Sequence, residues 1–520
     1  MEFWFWIFKL ITVLALVISL TIWIVKTLEW SWWKPRRLER ALRAQGLKGT
    51  HYRFLFGDLR ENVRINKEAR SKPLPSKSHA IIPRVVPLLL RSMNQFGKIS
   101  FTWFGPTPRV TLTDPELIRE VLSNKFGHFQ KPNIGPIGRL LATGLANYEG
   151  EKWARHRRII NPAFQVEKLK RMLPAFSACC SELVSRWETF VGSKGLCELD
   201  VWPELQNFTG DVISRTAFGS SFEEGRRIFH LQSEQAELLI QAFQYLVIPG
   251  YRFLPTRNNR RAKAIDREVR RLLRLIIEKR ERAIEKGDCN TNDLLGLLLE
   301  SNLNQDHGKS TNLRMSTEEV LEECKLFYFA GSETTSVLLT WTMVLLSMHP
   351  SWQVRAREEV LEVFGKNKPD IDGLSRLKIV TMILNEVLRL YSPAIILTRR
   401  TYKTMKLGGI TYPEGVSFIL PIIFIHHDPI YWGEDAHEFN PERFAGGVSK
   451  ASKDQVAFFP FGWGPRVCIG QSFAMLEAKM GLSMILQHFE FELSPSYSHA
   501  PYTVITLHPQ YGAHVILHKL

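Results

Sequence analysis

The chain has 520 residues, of which 45% are hydrophobic and 23% charged, a balance that excludes a disordered chain and allows one large domain or a few ordinary ones around an apolar core. A formal net charge of +16 points to an acidic partner or an anionic membrane surface, and with no zinc-finger or RNA-recognition signature it argues for no nucleic acid. The six cysteines, Cys179, Cys180, Cys197, Cys289, Cys324 and Cys468, lie apart without CxxC pairs, which argues against a disulfide scaffold or a structural zinc site.

In chain order, the first feature is an apolar run. No residue from Leu10 to Val25 is charged, and the run extends back to Phe3 with only Lys9 inside it. Such a length spans a bilayer, and a lysine near its end can snorkel. The segment KTLEWSWWKPRR that follows offers bulky residues where a signal peptidase needs small ones, so residues 1–26 read as an uncleaved anchor. Lys26, Lys34, Arg36, Arg37, Arg40 and Arg43 crowd its far side, and the positive-inside rule then places the rest of the chain in the cytosol. Trp30, Trp32 and Trp33 suit the interface. Residues 27–50 read as a basic linker and residues 51–520 as the body. With this topology the sequon at Asn207 should carry no glycan.

The body reads as mainly α with small β-sheets. Strand-like runs occupy Ile99 to Trp103, Arg109 to Leu112 and Ser417 to Leu420, while the middle follows a helical period. The polar stretch of residues 302–315 reads as a surface loop. Ser316 and Glu319 form a capping box, and the pattern beyond it predicts a helix from Thr317 to about Met348, roughly 48 Å long at 1.5 Å per residue. Small and polar residues gather inside it from Ala330 to Thr335. They could serve close helix packing, with Thr334 bonding back to the carbonyl four residues earlier, or they could serve a site.

The most informative segment is FFPFGWGPRVCIG, residues 458–470, which contains Phe-x-x-Gly-x-Arg-x-Cys-x-Gly from Phe461 to Gly470 and leads into a helical pattern. Glycines at 464 and 470 allow tight turns and close approach of the backbone to a flat ligand. Cys468 lies at a helix start, where free amides favour a thiolate. The segment resembles the heme-binding loop of cytochromes P450. Two further motifs agree with the resemblance in their order along the chain. Trp153 and Arg157 stand one helical turn apart, and Glu386 and Arg389 share a helix face ahead of Pro441-Glu442-Arg443-Phe444. WKPRRLERALRAQGLKG, EECKLFYFAGSETT and FGWGPRVCIGQSFAMLEAKM are similar to the plant group that contains secologanin synthase and several terpenoid hydroxylases.

The resemblance implies a helix-rich triangular P450 domain behind one transmembrane helix in the endoplasmic reticulum membrane. It implies heme b ligated through iron by Cys468, with Arg466, Trp153, Arg157 and Arg399 at the propionates and Phe461, Gly464, Gly470 and Ala330 against the macrocycle. Thr334 and Glu333 are then expected to handle oxygen and protons, while Glu386, Arg389 and Arg443 lock the scaffold. Electrons are expected from NADPH through a separate flavoprotein, NADPH–cytochrome P450 reductase, which Arg155, His156 and Arg158 would meet as a basic face. Phe329, Ala330, Ile395, Ile396, Leu397, Val504 and Ile505 are expected to wall an apolar pocket for a small hydrophobic substrate beside O2. Ser392 stands where relatives often carry proline, just before that wall. A terpenoid fits, with gibberellin or another diterpenoid acid favoured over an iridoid or triterpenoid, though no residue is assigned to such a carboxylate. The alternatives are a P450 that isomerises or dehydrates without reductase, which typically loses the threonine kept here as Thr334, and a non-catalytic heme sensor or membrane scaffold.

Overall fold

The computed structural model of the chain describes all residues except 125, 126, 133, 220, 221, 244, 246, 288–292 and 304–313. Cys289 and most of the polar stretch of residues 302–315 therefore lie outside the described residues.

The helices that position the site are α1 (Glu2–Leu28), α2 (Lys34–Ala44), α3 (Pro115–Ser123), α4 (Gly150–Ile160), α5 (Val166–Val191), α6 (Val201–Phe218), α7 (Thr317–Met348), α8 (Ile379–Leu390) and α9 (Gln471–His488). The apolar helix α1 is exposed throughout, long and apolar enough to cross a membrane. It does not end in a linker. A π-helical turn over Glu29–Trp33 carries it into α2, whose Leu38 and Leu42 are buried in the core. The cations expected on a basic linker instead occupy the outer face of an amphipathic helix, because leucines four residues apart share the opposite face.

The central helix α7 has the expected bounds. Ser316 accepts from the Glu319 amide at 3.2 Å, and the Glu319 carboxylate accepts from the Ser316 amide at 3.0 Å. Almost every residue from Val320 to Met348 is buried, so no single apolar stripe is needed. Tyr328 stacks on Phe218 of α6 at 4.1 Å, and Trp341 stacks on Tyr391 at 4.6 Å. Gly331 permits α6 to approach: a Cβ there would stand 2.8 Å from Ile213 Cδ1.

One six-stranded sheet joins the two ends of the body. Its strands are β1 (Lys48–Gly49), β2 (Ser100–Phe104), β3 (Thr107–Thr111), β4 (Phe129–Gln130), β5 (Leu397–Thr401) and β6 (Ser417–Leu420), in the order β1-β2-β3-β6-β5-β4. Thr102 opposes Arg109, Thr111 opposes Ile419 and Thr398 opposes Ile419 across adjacent strands, so these side chains share one face. A three-stranded sheet and two hairpins complete the β structure, including Pro501–Thr503 with Leu507–Pro509.

Asn207 lies within α6 rather than on a loop, and the hydroxyl of its sequon partner Thr209 is buried, donating to the Ser332 carbonyl at 2.9 Å.

Candidate active site

Cys468 stands three residues before α9, in a loop closed by local hydrogen bonds. Its amide donates to the Phe461 carbonyl at 2.9 Å, and the Gly462 amide donates to Phe459 at 2.9 Å. A short 3-10 turn spans Gly464–Arg466. Cys179, Cys180 and Cys324 are buried in the core, whereas Cys468 lies outside it in the loop. Phe461 is half-buried against the core.

The two glycines of the loop play different parts. Gly464 has φ +73° and a Cβ there would stand 2.5 Å from the Leu122 carbonyl oxygen, so it is required by packing against α3. At Gly470 a Cβ would meet only ordinary contacts, Phe164 at 3.9 Å and Cys468 Sγ at 4.0 Å. Its amide instead bonds the thiol sulfur and favours the thiolate. In the protein alone burial outweighs that amide and the nearby Arg157 and Lys131 charges, and the Cys468 thiol is pushed up.

Cations converge beside this loop. Arg157 donates to the Val467 carbonyl at 3.0 Å. Arg466 donates to the Tyr148 carbonyl at 2.7 Å and the Glu149 carboxylate at 2.6 Å, and its guanidinium lies 4.5 Å over the Trp153 ring. Arg399 is buried and donates to its neighbour Thr398 at 2.8 Å. Burial, with Arg466 nearby, pushes Arg399 down to about 10. Lys131, which no spacing in the sequence marks, joins them from the end of β4. Burial and the charges of Arg399 and Arg466 push it down to about 7.

On a second side of α7, the Thr334 hydroxyl donates to the Ala330 carbonyl at 2.8 Å, the helix-internal bond open to any threonine. Glu333 turns toward the hairpin of residues 501–509, where the Thr506 hydroxyl donates to it at 2.6 Å and His508 Nε2 pairs with it. Burial alone raises the Glu333 carboxyl, but His508 and Thr506 outweigh it and hold it below its ordinary value. Neither partner was legible beforehand, because both come from a distant hairpin.

Glu386 and Arg389 form a bidentate pair at 2.7 and 2.8 Å, both fully buried. Arg443 reaches Glu386 at 3.4 Å and Asp435 at 2.6 Å, so the network has four members rather than three. Arg389 also donates to the carbonyls of His426 at 2.8 Å and Ala436 at 2.6 Å, which ties α8 to the segment leading into the cysteine loop.

The expected basic face on α4 is largely neutralised. His156 is buried and bonds Glu323 at 2.6 Å, and Arg155 pairs with Glu319 at 2.6 Å, because α4 lies against the acidic first turns of α7. Arg158 alone of the three is exposed.

The principal cavity has a volume of about 1580 Å³. Ile395, Ile396, Val504 and Ile505 line it, as expected, whereas Phe329, Ala330 and Leu397 do not. Leu397 faces the cysteine loop, where a Cβ on Gly462 would stand 3.8 Å from its Cδ1. Phe329 and Ala330 are both half-buried on α7, Ala330 packed against the core. Trp23, Lys26, Thr27 and Trp30 also border the cavity, so it reaches the anchor.

The family profile described as Cytochrome P450 matches residues 88–510. The chain belongs to the cytochrome P450 family. Cytochrome P450 CYP72A616 of Paris polyphylla is 70% identical over 508 residues, covering 97% of this chain and 98% of the relative. The 11-oxo-beta-amyrin 30-oxidase of Glycyrrhiza uralensis is 52% identical over 510 residues, 97% of each chain. A solved structure, retinoic acid bound cyanobacterial CYP120A1, superposes with a TM-score of 0.73 at 24% identity, covering 86% of this chain and 99% of that one, and shows the shared fold.

As a P450 of the plant group, the protein is a heme monooxygenase that draws electrons from NADPH through a reductase. Its residues fit the heme. A sulfur donor stands beside four cations suited to two carboxylates, and Arg466 Nη1 is buried without a hydrogen-bond partner among the described residues.

Proposed function

We propose that this P450, anchored in the endoplasmic reticulum membrane with its body in the cytosol, inserts one oxygen atom from O2 into a polycyclic terpenoid of diterpenoid or triterpenoid size. The observation that carries this reading is the cavity of about 1580 Å³, walled by Ile395, Ile396, Val504 and Ile505 and bordered by α1. Ordinary small-molecule pockets hold ~300–1,000 Å³. The 11-oxo-beta-amyrin 30-oxidase among its relatives supports a triterpenoid, and the reading also takes in gibberellin-type diterpenoid acids.

Bound through Cys468, heme supplies the activation of O2. The chain does the rest. Arg466, Arg157, Arg399 and Lys131 offset the propionate charges, with Trp153 holding the Arg466 plane. Thr334 holds a proton at Oγ1, and Glu333 passes protons inward from His508, whose side chain is partly open to the outside. The buried pair of Glu386 and Arg389, extended through Arg443 to the partly exposed Asp435, keeps the cysteine loop in place.

An untargeted metabolite comparison of leaves expressing the chain tests the reading, backed by NADPH consumption with a plant reductase and a terpenoid panel. New oxygenated terpenoids coupled to NADPH use are expected; heme binding without turnover of any terpenoid contradicts it. In microsomes, protease should digest the body without detergent, and a protected body contradicts the cytosolic orientation.

A further inference from the structure

The cavity is apolar in its walls but one-sided in its charges. Its charged lining residues are Lys26, Lys67, Arg70, Arg109 and Arg252 against the single acid Asp58. Asp58 is already committed, since its carboxylate accepts from the Trp103 amide at 2.8 Å and the Thr50 hydroxyl at 2.5 Å. Arg70 donates to the Thr503 carbonyl at 2.9 Å, with its Nε buried and without a partner among the described residues, and Lys26, Lys67 and Arg252 are exposed.

Arg109 is different. It projects from β3 with its guanidinium 3.7 Å from the centre of the Phe104 ring, and no described carboxylate pairs with it. A cation against an aromatic face keeps its charge but not its hydrogen bonds. Burial pushes Arg109 down to about 9, with no opposing charge to hold it up. A half-buried guanidinium that lines the cavity and has no carboxylate partner among the described residues is open to an anion that enters it.

Its position on the sheet gives the length of the cavity wall beside it. Thr102, Phe104, Arg109, Ile419 and Thr398 line the cavity from one sheet face, and the register runs from Arg109 across β6 to Thr398 on β5. Two strand spacings and a two-residue offset separate Arg109 from Thr398 by about 12 Å. Thr398 precedes Arg399, whose side chain takes the other face of β5 with Leu397, toward the cysteine loop. That span matches a multi-ring skeleton lying along the sheet rather than a single ring.

We propose that Arg109 is the specificity-determining residue that receives the carboxylate of a terpenoid acid lying along this wall of the cavity. This rests on the terpenoid reading above and deepens it. The carboxylate displaces no protein partner and forms a charge-assisted pair with a half-buried guanidinium. Hydrocarbons and esters of the same shape leave the guanidinium unpaired and bind less tightly. Phosphate on an anionic lipid offers the same chemistry, since α1 borders the cavity, so the test separates the two sources.

The test is a titration of the full-length heme protein, followed through the heme Soret band, in neutral detergent free of anionic lipid. The probes are kaurenoic acid and oleanolic acid, each beside its methyl ester, against the unaltered protein, Arg109→Gln and Arg109→Lys. The acid is expected to bind at least about tenfold tighter than its ester, the factor for one charge-assisted hydrogen bond. Arg109→Gln should erase that preference without weakening the ester, and Arg109→Lys should restore part of it. Equal binding of acid and ester to the unaltered protein overturns the proposal whether or not the variants load heme. So does an acid preference that survives Arg109→Gln, or one that phosphatidylserine abolishes, which assigns the cation to lipid. If no terpenoid of either kind perturbs the band, the terpenoid reading itself fails.

Discussion

Glu333 is held between burial, which favours its neutral form, and His508 with Thr506, which favour the carboxylate. Removing the imidazole in His508→Gln leaves burial dominant, so the Glu333 carboxyl rises. The sign follows: protonation then begins at a higher pH, and the acid limb of NADPH-coupled turnover should move upward in pH while the heme spectrum stays unchanged. An unmoved limb separates His508 from proton delivery. Thr334→Ala should keep heme and divert NADPH electrons to peroxide, checked by the ratio of peroxide to product; unchanged coupling would leave its hydroxyl only the helix-internal bond to Ala330. At this scale residues of a fixed motif, such as Cys468 and Arg466, could be named as candidates from the sequence. It concealed Lys131, His508, Thr506 and Asp435, because those reach the site by tertiary packing from segments with no periodic relation to it.

At the scale of elements, the capping box and apolar continuity were enough to fix both ends of α7, and the short strand runs were found within a few residues of their bounds. Residues 27–50 misled because charge density was read as linker, while Leu38 and Leu42 carried the buried face of α2. Two helices meet at Gly331, and Gly331→Ala should lower the thermal midpoint, since its Cβ presses on Ile213. The obstructing atom is a side-chain end, so Ile213→Val should recover part of the loss in the double variant, measurable as a non-additive shift. The buried network is less forgiving. Glu386→Gln leaves Arg389 fully buried without its carboxylate, an expected loss of about 3–5 kcal/mol, read as a failure to accumulate heme-loaded protein.

At the scale of the molecule, the exposed α1 and the buried α2 define where the anchor can be cut. Deleting residues 1–28 should yield a heme-loaded body that leaves the membrane fraction more readily. Deleting residues 1–44 also removes Leu38 and Leu42, each worth about 1.5–3 kcal/mol of burial, and should lower the thermal midpoint of the body. Equal midpoints for the two truncations would show that α2 adds nothing to the fold. Everything else depends on one sulfur atom serving as the ligand of the heme iron. The most direct measurement is the carbon monoxide difference spectrum of the reduced protein. The intact chain should show the red-shifted band of thiolate-ligated ferrous heme, and Cys468→Ala should lose it, whereas a band that persists in Cys468→Ala would contradict the assignment of Cys468.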